Sequence, residues 1–216
     1  MSFSENYFIG IDVQSNRDCP YAVLNSSLQM VDSGWIPSNT SNGKLIADID
    51  SKYPNSYVGI DCPRMPLPGL REWYWRRDRW LKRTKEVGFG RHCEVVIKAN
   101  NIANPQWTPI SDRAPDWMRI GFSLFIEFQS ICQVYEVFPS ASYNILQDVP
   151  DVSCSLSFEN FRPGPKDMLD AVIAAITVFE FIKGRGCEVG GGDGLGTIVL
   201  PRPIPNSKLE VLHWPG

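Results

Sequence analysis

Two stretches written in nearly the same words decide the fold: Phe8-Ile9-Gly10-Ile11-Asp12 (FIGID) and Tyr57-Val58-Gly59-Ile60-Asp61 (YVGID). Each is a short apolar run of strand length that ends on an aspartate. Asp is disfavoured in strands and costly to bury, so an Asp placed directly after an apolar run requires solvent, a hydrogen-bond donor or a cation. Two of them suggest a shared cation. Ligands of an open α/β sheet gather beyond the carboxyl ends of its parallel strands, where both residues would sit if the strands are neighbours. The plainer alternative is that each Asp begins a turn or caps a helix.

The chain on either side supplies the rest of an α/β pattern. Strand character runs from Tyr7 to Val13, and two further strands, Tyr21–Asn25 and Leu28–Ile36, flank Asn25-Ser26-Ser27, so an antiparallel meander opens the fold. Leu45, Ile46 and Ile49 stand at helical spacing within 43–53, and Pro54 closes that helix ahead of the second aspartate strand, expected parallel to the first. Residues 63–113, with PRMPLPGL, WYWRRDRW and NNIANPQWTP in succession, read as a Trp/Arg-rich insertion with one or two short helices. Trp117, Ile120, Leu124, Phe125 and Phe128 predict a helix over 114–131. QVYEVF (133–138) predicts a strand, with a short helix from Ser140. Pro165 suits a first helical position, and Met168–Ile182 is apolar nearly all round, as a helix buried against a sheet would be, with Gly184 and Gly186 ending it. Gly190–Gly194 reads as a loop, a lid or connector, leading into an edge strand or extended tail at 197–200.

At 216 residues, 43% hydrophobic and 21% charged, the chain is long enough for a substantial core and short enough for one domain, 1–216. The start MSFSENYF carries an acid and lacks a basic region ahead of an apolar one, so no export signal is expected and the location expected is the cytoplasm. The longest apolar stretch, Ala171–Ile182, contains Glu180 and falls well short of the ~20 residues of a membrane span. Cys19, Cys62, Cys93, Cys132, Cys154 and Cys187 are scattered, with no CxxC pair and only His92 and His213 as histidines, which argues against a zinc site and for reduced thiols. A net charge of −3 and a pI near 5.4 exclude a protein that coats nucleic acid by bulk charge. Charge is nevertheless uneven. Between Arg71 and Glu86 seven basic residues face three acids, a net of +4 that leaves −7 on the rest of the chain.

Further carboxylates join the two strand-end aspartates as candidates. Glu136 lies inside an apolar strand between Tyr135 and Val137, where it is either a ligand or an outward-facing residue of a half-exposed strand. Asp167 and Asp170 stand three apart in the first turns of the buried helix, on nearly one face, where the helix dipole alone would favour them by ~0.3 to 1 kcal/mol. Asp170 is the harder to explain by solvent, since its neighbours are Leu169, Ala171 and Val172.

The succession GIDVQ with YAVL after it, IDCPRMP, RHCE followed by TP, EVFPSAS, KDMLDAVIAA and GDGLGTIVLP resembles, in order and across nearly the whole chain, the domain of unknown function 429 family, described as ribonuclease-H-like nucleases. The resemblance implies a mixed five-stranded sheet, three antiparallel strands then two parallel, with helices on both faces. It implies catalytic, metal-holding carboxylates at Asp12, Asp61, Glu136 and Asp170, with Asp167 as an alternative for the last. Carboxylates without His or Cys partners select hard cations, so Mg²⁺ or Mn²⁺ is the expected cofactor and metal-dependent hydrolysis of phosphodiesters the expected activity.

The basic island supplies an expected substrate surface for DNA or RNA: Trp73, Tyr74, Trp75 and Trp80 alternate with Arg76, Arg77, Arg79 and Lys82, a composition able to stack bases and contact phosphates. Its alternative is an amphipathic helix whose aromatics are core and whose arginines are solvated. Arg91, Cys93 and Glu94 form an RxCE motif that either contacts substrate and orders the insertion or makes a structural salt bridge, and His92 reads as a surface neighbour. Two rival functions stand beside the nuclease: an inert module binding nucleic acid or protein, and a phosphotransferase of the actin and sugar-kinase kind, which normally needs two such domains. A homodimer is open as the assembly.

Overall fold

The computed structural model describes residues 6–38, 43–83, 88–204 and 213–215. The first five residues, Lys85 and Glu86 of the basic island, and most of the proline-rich terminus lie outside the described residues. Five strands form the central sheet: β1 (Tyr7–Asp12), β2 (Cys19–Leu24), β3 (Met30–Ile36), β4 (Ser56–Asp61) and, after the insertion, a strand at Gln133–Glu136. Within the insertion, β5 (Trp73–Trp75) and β6 (Trp80–Lys82) form a separate hairpin, so the Gln133–Glu136 strand is β7. The order is β3-β2-β1-β4-β7, with β1–β2 and β2–β3 antiparallel and β1–β4 and β4–β7 parallel.

Side-chain alternation along the strands divides the core into two layers. Ile9, Ile11, Val58 and Ile60 face α1 (Gly43–Lys52), through its Ile46 and Ile49, and the long helix of residues Asp116–Gln129, through Met118, Leu124, Phe125 and Phe128. Phe8 and Ala22 face the helix of residues Pro165–Ile182, through Met168, Ala171, Ala174 and Ala175. Two shorter helices, α2 (His92–Ala99) and the one at Pro139–Leu146, make the long pair α3 (Asp116–Gln129) and α5 (Pro165–Ile182), and the Pro139–Leu146 helix α4. Helices therefore cover both faces. No helix among the described residues is long and apolar enough to cross a membrane.

Helix α5 begins as its sequence directs, with Pro165 inside the first turn, and ends where Gly184 takes φ +74°, the left-handed conformation that closes a helix at little cost to glycine. What brings it close to the sheet is a pair of glycines. Gly10 and Gly59 are register partners on β1 and β4. A Cβ added at Gly10 would lie 1.9 Å from the Ala171 carbonyl oxygen and 2.4 Å from the Ala175 nitrogen, and one at Gly59 would lie 2.7 Å from Val178 Cγ2. The helix backbone thus rests directly on the sheet backbone. The repeated Gly-x-Asp lettering carries a packing instruction as well as a chemical one, because Gly and Asp two residues apart share a face.

The insertion holds one short helix of the expected kind, α2, but its Trp/Arg-rich part differs. The Trp/Arg-rich segment is a hairpin, not a helix, and its turn at Arg77 and Asp78 has φ of +51° and +55°. Trp75 and Trp80 meet edge to face at 5.2 Å and pack on a third apolar cluster with Val95, Ile97 and Ile198, while Arg76, Arg77 and Arg79 are exposed. The sequence alternative of aromatic core and solvated arginines therefore describes the segment, on a ribbon instead of a helix. The Gly190–Gly194 loop connects β8 (Cys187–Gly190) to β9 (Thr197–Leu200), an antiparallel pair whose first strand was not anticipated; Val199 bridges to Val137 beyond the end of β7. All six cysteines are free thiols.

Candidate functional site

Asp12 and Asp61 are register partners at the carboxyl ends of neighbouring parallel strands, which lie about 4.8 Å apart. Both share the α5 face with Gly10 and Gly59, and the glycine contact lays the first turns of α5 across the same end of the sheet. Asp170 stands one residue before Ala171, whose carbonyl covers Gly10, so three carboxylates from β1, β4 and α5 converge electrostatically. Asp12 is 5% exposed and Asp170 8%. Asp61 is enclosed by protein except where it lines a cleft beyond the strand ends.

Few donors compensate this charge. The Gln14 amide donates to Asp12 at 2.6 Å and the Lys166 ammonium to Asp170 at 2.6 Å, whereas no protein donor among the described residues reaches the Asp61 carboxylate. Burial, followed by the charges of Asp170 and Asp167, pushes the Asp12 carboxyl up to about 7, against the pull of Gln14 and Lys166. Burial, then Asp12, Asp170 and Glu136, hold Asp61 well above the ordinary carboxylate range. Tyr143 on α4 faces the same group, and burial together with the Asp170 charge raises its phenol. Asp167 is turned to a different partner, Arg17, whose guanidinium lies 3.1 Å away without hydrogen-bond alignment.

Glu136 does not join them. Its register partner is Ile60, not Asp61, so the alternation of β7 puts its side chain on the opposite face. There it receives both terminal nitrogens of Arg91, one at 2.7 Å, and the Arg64 backbone N–H at 3.0 Å. Arg91 is fully buried and shared with Glu94, whose carboxylate also accepts the Arg91 and Thr108 backbone N–H groups at 3.1 and 3.0 Å and the Thr108 hydroxyl. Burial raises Glu136 even against Arg91, while its two carboxylate neighbours hold Arg91 charged despite burial. Of the two readings of RxCE, the geometry realises the salt bridge: Arg91 and Glu94 cap α2 and lock it to β7.

His92 is buried and not a surface neighbour; its Nδ1 accepts the Gly192 N–H at 3.0 Å. Asp193 in the same loop pairs with Arg71 at 2.7 Å and accepts the His92 backbone N–H at 2.9 Å. The glycine loop is thus a connector that fastens the insertion. Trp73 and Trp75 are half-buried, and none of the hairpin residues lines the cleft.

Residues that sequence reasoning passed over are Gln14, Lys166 and Tyr143. Gln14 carried a signal, standing two residues after an Asp in GIDVQ; Lys166 stands four before Asp170, the spacing of one helical turn. Nothing local marks Tyr143, which only the packing of α4 on α5 brings to Asp170. Among the described residues no group of three His, Cys, Asp or Glu side chains is arranged to hold a metal ion as it stands. The donor chemistry nonetheless suits a hard divalent cation, because among the described residues the adjacent carboxylates have only the largely exposed Lys166 ammonium beside them. No family model, curated protein or solved structure matches this chain.

Proposed function

We propose that the chain is a nuclease that hydrolyses phosphodiester bonds with a divalent cation, Mg²⁺ or Mn²⁺, held by Asp12, Asp61 and Asp170. One observation carries the reading: Asp12 and Asp61 stand in register on adjacent strand ends, on one face with Asp170, with Asp12 and Asp170 buried and Asp61 open to the cleft, and lack full compensation. The order β3-β2-β1-β4-β7 supports a ribonuclease-H-like reading of the fold. Glu136 is left out of the ligand set because its side chain lies on the opposite face, paired with Arg91, and Asp167 because it is turned toward Arg17.

A bound divalent ion would supply a Lewis acid for the phosphoryl oxygens and a polarised water. The chain's own contribution is orientation and charge. Gln14 fixes the Asp12 carboxylate, and Asp61 opens to the cleft from which substrate would approach. Lys166, largely exposed, holds a positive charge at Asp170 where a divalent ion would otherwise supply it. Asp12, lifted to about 7, holds a proton near neutral pH that binding of a divalent ion there would displace.

The test is thermal denaturation with Mg²⁺ or Mn²⁺ against chelator, run beside cleavage assays on single-stranded, duplex and hybrid substrates. Metal-dependent stabilisation and cleavage, both lost in Asp12→Asn, are expected; neither effect in the unmodified protein would overturn the proposal. A second reading, an inert binding module, draws on Arg91 at Glu136 and Lys166 at Asp170, which neutralise two of the four expected acids internally. Its mark is nucleic-acid binding without metal-dependent turnover.

A further inference from the structure

The cleft beyond the strand ends has a volume of about 470 Å³, within the range of small-ligand sites. Among its described lining residues the cleft offers an anion no free cation. Asp61, Glu94 and Glu136 line it, and the one cationic side chain among its lining residues, Arg91, is wholly buried with its guanidinium committed to Glu94, Glu136 and Thr108. A phosphate backbone has no free basic group to meet there. The walls differ: Ser15 and Asn16 from the β1–β2 loop, Gln106 from the strap after α2, and Ser140 at the start of α4 are exposed and make no hydrogen bond to the protein among the described residues. Trp117 at the start of α3 adds an indole.

Solvated amides and hydroxyls around one indole, in a cleft with no free cation, match a flat, uncharged group with a hydrogen-bonding edge. We infer that this cleft takes one unpaired nucleobase, its edge read by Asn16 and Gln106 and its face by Trp117, with the phosphate left at the rim beside Asp12 and Asp61. Amide side chains pair with base edges in this way, and an aromatic ring stacks on any base. A base inside a duplex presents neither a free face nor its full pairing edge, so the substrate class is single-stranded nucleic acid or an extruded nucleotide. The inference rests on the nuclease reading for the placement of the phosphate, but the recognition it describes needs no metal.

The experiment measures binding in chelator, by fluorescence of 2-aminopurine placed in a short single strand and in the same sequence as a perfect duplex, with free nucleoside monophosphates as competitors. The single strand is expected to bind more tightly than the duplex and to change its fluorescence on binding. Asn16→Ala with Gln106→Ala, at exposed positions outside the carboxylate group, weakens that binding about tenfold, as expected for two lost hydrogen bonds. Trp117→Leu reduces the fluorescence change. Competition by monophosphates at comparable concentration assigns the site to a free nucleotide, and its absence assigns it to a strand; both preserve base recognition. Equal affinity for duplex and single strand, or an unchanged affinity in the double variant, overturns the inference. Metal-dependent cleavage of duplex without strand preference would remove this inference and keep the nuclease, whereas single-strand binding without cleavage would do the reverse.

Discussion

At the scale of single residues, the same acidic letter has several fates, decided by what each side chain meets. Asp12 is held at about 7 in the folded protein, against an ordinary 3.8, because it is buried beside Asp170 and Asp167. Between those values the folded state retains a proton that the unfolded chain has lost, so its contribution falls as pH rises from about 4 to about 7. Asp12→Asn is therefore expected to stabilise the metal-free protein above pH 7 by on the order of 2 to 4 kcal/mol, with the gain vanishing near pH 4. Melting temperature against pH in chelator reads this directly. Arg91 is the opposite case, a buried charge already paired. Arg91→Met leaves Glu94 and Glu136 buried without their cation and is expected to cost about 3 to 5 kcal/mol in denaturant titration. Adding Glu136→Gln should recover part of that loss, as coupled sites do. The Asp12 and Asp61 positions were legible from FIGID and YVGID because an acid after an apolar run needs explaining. Glu136 was not, since only the pairing of β7 with β4 shows which face it takes.

At the scale of elements, the approach of α5 to β1 and β4 builds the site. Gly10→Ala would drive a methyl group into the Ala171 carbonyl, backbone that cannot rotate away. The expected cost is about 3 kcal/mol or more, together with a smaller metal-induced rise in melting temperature, because Asp170 is moved off Asp12. Gly59→Ala meets the movable Val178 methyl first and should be milder. The β5–β6 hairpin is a separate unit whose arginines do little for the fold. Charge reversal at Arg76 and Arg77 should change stability by no more than about 0.5 kcal/mol while weakening nucleic-acid binding and flattening its salt dependence, if the hairpin meets phosphates. The long helices were readable from apolar spacing alone. The hairpin was hidden because its turn places Arg77 and Asp78 at positive φ, where Asn and Gly are the usual letters. β8 was hidden by the glycines that follow it.

At the scale of the whole molecule, two faces of one sheet end carry opposite solutions to buried charge. The α2 side neutralises its acids internally through Arg91 and gains a rigid wall for the cleft; the α5 side leaves its acids under-compensated, at a cost to the metal-free protein. This asymmetry is what suits the second face to a cation. The overall charge of −3 fits the same division, since no described residue of the basic island lines the cleft. The most direct measurement is the anomalous difference density of a crystal soaked with Mn²⁺. The account predicts an ion within ligating distance of Asp12 and Asp61, with Asp170 released from Lys166 and turned toward it. Saturating Mn²⁺ that leaves those carboxylates without an ion, or that binds at Glu136 instead, would contradict it.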